Sequence, residues 1–242
     1  MLKTMKTLTV DFHSHILPNI DDGSKSVEES VKMLQLEAQN GIKTVIATPH
    51  FYGDIDTDID FINRRNDAAN ILKKGIPNGL NLPNIILGAE VLYFDGIENW
   101  EAIPNLAIEG TNYILIELPM TPLSNRTLNI LASFKENTGY TPIIAHLDRY
   151  ISAFRTYNLP KTLSEIDVLV QINADFFLKF PNSVRALNLI KKGYVQLLGS
   201  DCHNCDFRPP NIKKAINIIE NKLGSAVVED LVNFQNLVIN NL

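Results

Sequence analysis

All five histidines of this 242-residue chain lie in short motifs that also contain acidic residues, prolines or glycines. Imidazole and carboxylate groups are the nitrogen and oxygen ligands that divalent transition metals take in proteins. The motifs are Asp11-Phe12-His13-Ser14-His15, Ala47-Thr48-Pro49-His50, Ala145-His146-Leu147-Asp148-Arg149-Tyr150 and Gly199-Ser200-Asp201-Cys202-His203-Asn204. We therefore expect one site with several metal ions, and hence an enzyme.

The first group of candidate ligands lies between residues 11 and 23. His13 and His15 are two residues apart on an extended segment, so both side chains point to the same face. Alone, such a pair is as often two polar strand residues as a metal-binding pair. Asp11 before it and Asp22 after it favour metal, since Gly23 permits the tight turn that brings Asp22 into the site.

Further candidate ligands directly follow apolar runs. Glu90 and Glu117 each follow such a run. A carboxylate buried there without a cation is costly, which favours a metal ligand. The ordinary alternative is an acid at a strand end that is exposed to solvent. Asp201 and His203 repeat the alternate spacing late in the chain, where the alternative is a helix-capping aspartate beside a surface histidine. His50 and His146 complete the candidate set.

Two arginines and four aromatic residues accompany these motifs. A phosphate at a metal cluster keeps oxygens that a guanidinium group binds bidentately, so we expect Arg149 and Arg208 to bind phosphate; for Arg149, a salt bridge to Asp148 is the alternative. The aromatic residues form either a collar around a ring-bearing substrate or packing contacts at the rim. They are Phe51, Tyr52, Tyr93 and Phe94, of which the first two are our candidate substrate-binding residues.

The two cysteines, Cys202 and Cys205, form a single C-x-x-C pair. A structural zinc site would need two further matching ligands, and a redox pair is expected near the amino end of its fold. Cys202 and Arg208 also have the spacing of cysteine-dependent phosphatases, but the segment between them lacks the glycine that lets backbone amides converge on phosphate. Two small residues that line a metal pocket are the favoured interpretation.

Short apolar runs alternate with stretches of helical period, which predicts repeated βα units around a parallel sheet. Seven strands are predicted, at Leu8 to Phe12, Thr44 to Ala47, Ile85 to Leu87, Tyr113 to Ile116, Pro142 to Ala145, Val168 to Ile172 and Val195 to Leu198. The strands of a closed β/α barrel end on one face, where residues distant in sequence become neighbours. We therefore expect one site to collect all the candidate ligands.

The clearest predicted helix begins at a capping box of Ser26 and Glu29 and ends before Gly41. Others are predicted at Thr57 to Lys74, Ser124 to Asn137, Asn182 to Lys192, and from near Pro210 and Gly224. No boundary resembles a linker, so residues 1–242 are expected to form a single domain.

Composition limits the class of protein. A hydrophobic content of 45% suits a globular core, and a formal net charge of -5 argues against nucleic acid as a partner. No apolar run is long enough for membrane insertion, and residues 1–7 lack the apolar stretch of a signal peptide. A cytoplasmic protein is expected, and the sequence indicates no oligomeric state.

These motifs resemble the polymerase and histidinol phosphatase (PHP) superfamily. Within it they are most similar to the bacterial manganese-dependent protein tyrosine phosphatases of capsule and exopolysaccharide synthesis, because of Asp21-Asp22-Gly23 and Arg208-Pro209-Pro210. The resemblance runs from residue 11 to residue 210 and implies a distorted TIM-like (βα)7 barrel. It also implies three divalent metal ions, with Mn²⁺ first and Fe or Zn as alternatives.

The resemblance also implies a ligand set. The first ion takes His13, His15, Glu90 and Asp201; Glu90 bridges to a second held by Glu117 and His146; the third takes Asp22, His50 and His203. This chain departs from the family where Phe51 replaces a frequent histidine and where Leu147-Asp148 replaces Pro-Glu. Both departures leave every metal position filled.

The expected activity is metal-dependent hydrolysis of a phosphate monoester, with Arg149 and Arg208 in the catalytic site and Asp206 as the candidate proton donor. The resemblance implies a phosphotyrosyl protein as substrate, specifically the tyrosine-rich tail of a capsule-associated kinase. The alternatives are a small-molecule phosphatase of the histidinol phosphate type and a noncatalytic PHP metal-binding module.

Overall fold

The computed structural model describes residues 9–239. Its strands are β1 (Val10–Ser14), β2 (Thr44–Ala47), β3 (His50–Phe51), β4 (Asn84–Leu87), β5 (Glu90–Leu92), β6 (Tyr113–Glu117), β7 (Thr141–Ile144), β8 (Leu169–Asn173) and β9 (Leu197–Gly199). Its helices are α1 (Val27–Gln39), α2 (Asp58–Gly75), α3 (Ile103–Leu106), α4 (Asn125–Thr138), α5 (Leu147–Phe154), α6 (Leu159–Ser164), α7 (Asn182–Lys191), α8 (Ile212–Leu223) and α9 (Ser225–Ile239). Ile97–Asn99 and Ala174–Phe177 form single 3₁₀ turns.

Two of the seven predicted strands, β2 and β4, are each followed after a two-residue break by a short strand that was not predicted, which gives nine strands in the described range. Thr48-Pro49 separates β2 from β3, where proline has no N–H to donate to a sheet, and Gly88-Ala89 separates β4 from β5. Pairing continues across these breaks, because the amides of Gly88 and Glu90 donate to the carbonyls of Ala47 and Pro49 at 2.9 and 3.0 Å. As a result, His50 and Glu90 are the first residues of the short strands β3 and β5.

The strands pair in parallel around a curled sheet. The order is β1-β2-β4 in one part and β3-β5-β6-β7-β8-β9 in the other. The segment after β9 returns to β1, since the His15 amide donates to the Cys202 carbonyl at 2.9 Å and the Asp201 amide to the His13 carbonyl at 2.8 Å. The predicted distorted seven-unit barrel is thereby confirmed.

The apolar core has three clusters. One fills the barrel with residues such as Phe12, Ile46 and Leu115 from alternating strand positions. The other two lie between the sheet and its helices, around Leu34 and Ile172 on one side and around Phe61 and Phe134 on the other. Burial of one such side chain stabilises the fold by about 1.5–3 kcal/mol, so the core holds the strand ends in fixed positions.

The long predicted helices are confirmed. The Ser26 hydroxyl accepts a hydrogen bond from the Glu29 amide at 3.2 Å at the start of α1, and Gly41 follows its end with a φ of 87°. Thr57 and Ser124 cap α2 and α4 in the same way. The short helices α3, α5 and α6 were not predicted.

The described helices include none that is both long and apolar enough to span a bilayer. The predicted lack of a signal peptide concerns residues 1–7, which lie outside the described range, as does Leu8 of the first predicted strand.

Candidate metal centre

The nine predicted ligands lie at or beyond the carboxyl ends of six strand positions around the barrel. His13 is the penultimate residue of β1, with His15 and Asp22 in the following loop; His50 and Glu90 begin the continuations β3 and β5; Glu117 ends β6; His146 follows β7; and Asp201 and His203 follow β9. The structure brings all nine into one cluster at the barrel mouth.

The first group consists of His13, His15, Asp201 and one oxygen of Glu90. Glu90 Oε2 lies 3.1 Å from His13 Nε2 and 3.2 Å from His15 Nε2. Asp201 Oδ1 lies 3.7 and 3.6 Å from the same two nitrogens. These side chains are almost completely buried, so four donor atoms converge in a dry environment.

The second group forms around the other oxygen of Glu90. Glu90 Oε1 lies 2.6 Å from His146 Nε2, which is itself 3.4 Å from Glu117 Oε1. Glu90 therefore joins the first and second groups through its two oxygens.

The third group lies nearer to solvent. Asp22 Oδ1 is 3.4 Å from His50 Nε2 and 3.2 Å from His203 Nε2. The Asp22 side chain is 66% exposed, whereas that of His203 is buried. The ring of His15 lies near both in a tilted arrangement, with centroids 4.6 Å from His50 and 4.0 Å from His203.

Hydrogen bonds to the far ring nitrogens fix how three histidines face the cluster. His13 Nδ1 lies 3.2 Å from Gln171 Oε1, His15 Nδ1 lies 2.7 Å from Asp21 Oδ2, and His203 Nδ1 lies 3.0 Å from the Asp201 carbonyl oxygen. Each acceptor binds an N–H at Nδ1, so Nε2 is the ring atom that faces the cluster and binds a cation once it carries no proton. Asp21 and Gln171 thus orient candidate ligands.

The donor set fits divalent cations. Among the described residues, His50 Nδ1, Glu90 Oε2 and His203 Nε2 are buried without a hydrogen-bond partner. Buried polar atoms normally have a partner, and all three belong to proposed ligands. The mixture of imidazole and carboxylate suits Mn, Fe or Zn.

Backbone strain coincides with the site. His146 and Asp201 have φ values of 26° and 52°, and they are two of four non-glycine residues with positive φ in residues 9–239. Such conformations cost roughly 1–3 kcal/mol each and persist where the surroundings fix them. At both positions the strained backbone lies just after a strand and turns a candidate ligand into the cluster.

Two acids of the cluster, Glu90 and Asp201, remain ionised despite burial. Burial raises the pKa of Glu90, but His13, His146 and His15 more than offset it and hold the pKa well below its usual range. Burial likewise opposes ionisation of Asp201, whose pKa is nevertheless lowered by His13 and Arg149. Burial lowers the pKa of His203 to about 4, so this imidazole stays neutral and able to bind metal near pH 7.

Both predicted phosphate-binding arginines contact one carboxylate. Arg208 Nη2 lies 2.6 Å from Asp201 Oδ1, and Arg149 Nη2 contacts Asp201 Oδ2. Their side chains are 34% and 39% exposed, so their remaining N–H groups are open to a ligand in the mouth. Asp148 instead accepts a hydrogen bond from the Asn173 amide at 2.8 Å, and the ion pair of Arg149 in the described structure is with Asp201 and not with Asp148.

One predicted substrate-binding residue is wrong. Phe51 is 0% exposed and packs against Phe61 and Trp100, with centroid distances of 5.1 and 5.2 Å. Successive strand residues point to opposite faces, so His50 faces the site and Phe51 faces the core. Tyr52 returns to the site side, where its ring stacks on His50 at 5.4 Å.

The structure places Asp206 and the cysteines outside the cluster. Asp206 is exposed, and its carboxylate makes no hydrogen bond or ion pair with any other described residue. Burial raises the pKa of the Cys202 thiol well above its ordinary value, helped by Glu37 and Asp11. A thiol in that state is a poor nucleophile, which weighs against the cysteine-dependent route.

Residues 9–238 match the family model described as capsular polysaccharide synthesis, CpsB/CapC. Tyrosine-protein phosphatase CpsB of Streptococcus pneumoniae is 31% identical over 233 residues, which cover 92% of this chain and 94% of that protein. Tyrosine-protein phosphatase YwqE of Bacillus subtilis strain 168 is 27% identical over 244 residues, which cover 96% and 92%.

Solved structures show the same fold. One match belongs to the crystal structures of YwqE from Bacillus subtilis and CpsB from Streptococcus pneumoniae, which are described as unique metal-dependent tyrosine phosphatases. The TM-score is 0.83 at 24% identity, and the match covers 96% of this chain and 95% of that chain. The lactonase Lmo2620 of Listeria monocytogenes matches at 0.54 and 11%, covering 95% and 92%. The resemblance inferred from the motifs is confirmed, and the chain belongs to the capsular polysaccharide synthesis CpsB/CapC family.

Proposed function

We propose that this chain is a metal-dependent phosphomonoesterase that acts as a protein-tyrosine phosphatase. The observation that carries the proposal is the convergence of nine nitrogen and oxygen donors at the barrel mouth, directly beside two half-exposed arginines. The names of the similar CpsB and YwqE proteins support phosphotyrosine as the substrate.

The proposed cofactors are three divalent cations, with Mn²⁺ first and Fe or Zn as alternatives. The proposed ligands are His13, His15, Glu90 and Asp201 for the first, Glu90, Glu117 and His146 for the second, and Asp22, His50 and His203 for the third. When bound, such cations supply a water nucleophile that is active at neutral pH and neutralise charge on the phosphoryl group.

Arg149 and Arg208 have the role of binding phosphoryl oxygens. Each guanidinium contacts a different oxygen of Asp201, so both groups already point to the same side of the cluster. A phosphate ester there receives N–H donors from both, and these donors offset the charge that develops as the ester bond breaks.

The leaving group needs little assistance. A tyrosyl phenol has a pKa of about 10, so it departs more readily than an alkoxide. Tyr52 offers a ring beside His50 against which the phenyl group can stack. Burial, with Glu117 and Glu90, raises the pKa of Tyr52 to about 12, so it stays protonated. Asp206, two residues before Arg208, remains the proposed proton donor.

A flexible tyrosine-rich tail of a capsule-associated kinase is the proposed natural substrate. The family description in terms of capsule synthesis and the open position of Asp22 and the arginines at the mouth support a substrate that is presented by another protein. A deep, closed pocket would instead suit a free metabolite.

A substrate comparison tests the function. With Mn²⁺, the purified protein is expected to hydrolyse a phosphotyrosyl peptide much faster than histidinol phosphate, and Glu90→Gln is expected to lose at least about 100-fold in rate because the bridging carboxylate loses its charge. Glu136→Gln, at an exposed position of α4, is the matched control. Preference for histidinol phosphate would favour the small-molecule alternative, and no hydrolysis of either would favour the noncatalytic module.

A further inference from the structure

A cleft of about 300 Å³ lies at the rim of the barrel mouth, between the segment that follows β5 and the segment that follows β6. Its apolar lining consists of Tyr93, Phe94, Pro119, Pro122 and Leu123, and the rest of the lining is polar and includes Asp95 and Thr121. Its volume is at the lower end of the range for ligand sites, which suits a single side chain with a stretch of backbone.

The cleft adjoins the candidate metal centre. Glu90 begins the short strand that leads to Tyr93, and Glu117 lies two residues before Pro119. The Tyr93 amide donates to the Glu117 carbonyl at 2.9 Å, so the two walls meet beside a candidate ligand. Residues of an extended peptide are spaced by about 3.3 Å, so a peptide whose phosphotyrosine enters the mouth brings its neighbours to this rim.

Both walls are held in place. The Tyr150 hydroxyl accepts from the Leu123 amide at 2.6 Å and donates to the Thr121 carbonyl at 2.9 Å. Tyr150 follows Arg149 on α5, so one helix positions both a cleft wall and a phosphate-binding group. Such a wall is formed before a ligand arrives, which reduces the entropy cost of binding.

The opposite wall is also supported by packing. The Phe94 ring packs edge-on against Trp100 with centroids 5.2 Å apart. A methyl group at Gly53 would lie 2.9 Å from Phe94 Cε1, so the loop after β3 also touches this ring. The cleft thus presents aromatic and proline surfaces in a fixed arrangement.

The surroundings of the cleft add apolar surface. Met120, between two lining residues, is 58% exposed, although a large apolar side chain in water is unfavourable. Ile55 and Phe207, on the loops after β3 and β9, are also exposed. Apolar side chains displayed around the mouth on several loops are typical of a surface that meets another chain.

We propose that this cleft is a specificity subsite that binds an aromatic or aliphatic side chain of the substrate polypeptide next to the phosphotyrosine. The proposal rests on the proposed phosphatase function and deepens it, because it names the sequence class that the site prefers. A tyrosine-rich or leucine-rich segment would fill the cleft, whereas a segment of glycine and serine would leave it unused.

The test compares two phosphotyrosyl peptides, one flanked by tyrosine and leucine and one by glycine and serine, together with p-nitrophenyl phosphate, all with the Mn²⁺-loaded full chain. The parent is expected to show a kcat/KM about 10-fold higher for the apolar flanks. Thr121→Trp, which fills the cleft from an exposed position, is expected to abolish this preference. Ala226→Trp, at an exposed position of α9, should preserve it.

Phe94→Ala provides a second variant if Thr121→Trp fails to fold, and it too should reduce the ratio between the two peptides. The subsite would be contradicted by an equal kcat/KM of the parent for both peptides, or by a ratio that neither lining variant changes. Hydrolysis of p-nitrophenyl phosphate in the same experiment would still support the phosphatase function. Absence of Mn²⁺-dependent hydrolysis of all three substrates would overturn both.

Discussion

The Nε2 atoms of His13 and His15 lie 3.1 Å apart at the barrel mouth. Each ring already uses its Nδ1 atom, on Gln171 for His13 and on Asp21 for His15. Both Nε2 atoms therefore point to one position, where two protonated rings repel each other and a cation can replace their Nε2 protons. A cation shared by the two Nε2 atoms fits this arrangement. Because Asp21 orients His15, a change at Asp21 tests whether His15 contributes to metal affinity.

Asp21→Asn is expected to weaken Mn²⁺ binding by about 10–100-fold, because the neutral amide no longer holds the proton on His15 Nδ1. Activity should be measured against Mn²⁺ concentration, with Asp67→Asn on the exposed face of α2 as the control. An Mn²⁺ midpoint that matches the parent would show that Asp21 does not orient this ligand.

Arg149→Lys and Arg208→Lys are each expected to lower kcat/KM for an aryl phosphate by about 10–100-fold, because lysine keeps the charge but loses the two-pronged donor. Steady-state kinetics check this, and Arg64→Lys, which alters an exposed ion pair with Asp56, is the control. Full activity in both site variants would remove the arginines from phosphate binding.

Alanine substitutions at Phe51 and Tyr52 are expected to have different effects, the first mainly on stability and the second mainly on activity. Phe51→Ala should lower the free energy of unfolding by about 3–5 kcal/mol because it leaves a cavity in the core. Tyr52→Ala should cost much less stability and should raise KM for aryl phosphates. Denaturant unfolding and kinetics on the same two variants decide the matter, and a Phe51→Ala protein of parental stability would contradict the assigned packing.

Glu37 is expected to make stability depend on pH. It is fully buried beside Asp11, and burial and the charge of Asp11 raise its pKa well above the ordinary 4.5. The folded chain therefore holds a proton that the unfolded chain releases above pH 4.5, so this group's contribution to the free energy of unfolding falls as pH rises towards the folded-state pKa.

Glu37→Gln mimics the protonated acid and should be more stable than the parent at pH 8, by on the order of 1–3 kcal/mol, with a smaller difference at pH 5. Thermal unfolding at the two pH values measures this, with Glu136→Gln as the exposed control. An equal difference at both pH values would mean that Glu37 does not titrate as assigned.

The sequence could predict the barrel because its signals are local. A capping serine, a terminal glycine or an apolar run acts within a few residues, and so α1 and the strand cores were predicted nearly to the residue. Helix α5 was missed because its eight residues are too few to show a helical period clearly.

The orienting residues of the site could not be predicted in the same way. Gln171 contacts His13 across 158 positions of sequence, and only its polarity within an apolar run hinted at a role. Phe51 follows His50 in sequence, but strand geometry places the two side chains on opposite faces, so adjacency to a ligand does not predict a place in the site. Asp21 precedes Asp22, and only its contact with His15 distinguishes its role from that of its neighbour.

The most direct test of the metal centre follows one preparation through metal removal and return. Hydrolysis of p-nitrophenyl phosphate and bound Mn²⁺ per chain should be measured before chelation, after chelation and during re-addition of Mn²⁺, in the parent and in Cys202→Ala. Activity should vanish with the metal and return as about three Mn²⁺ bind per chain, in both proteins. Undiminished hydrolysis by the metal-free parent, together with loss of hydrolysis in Cys202→Ala, would contradict a metal-dependent mechanism.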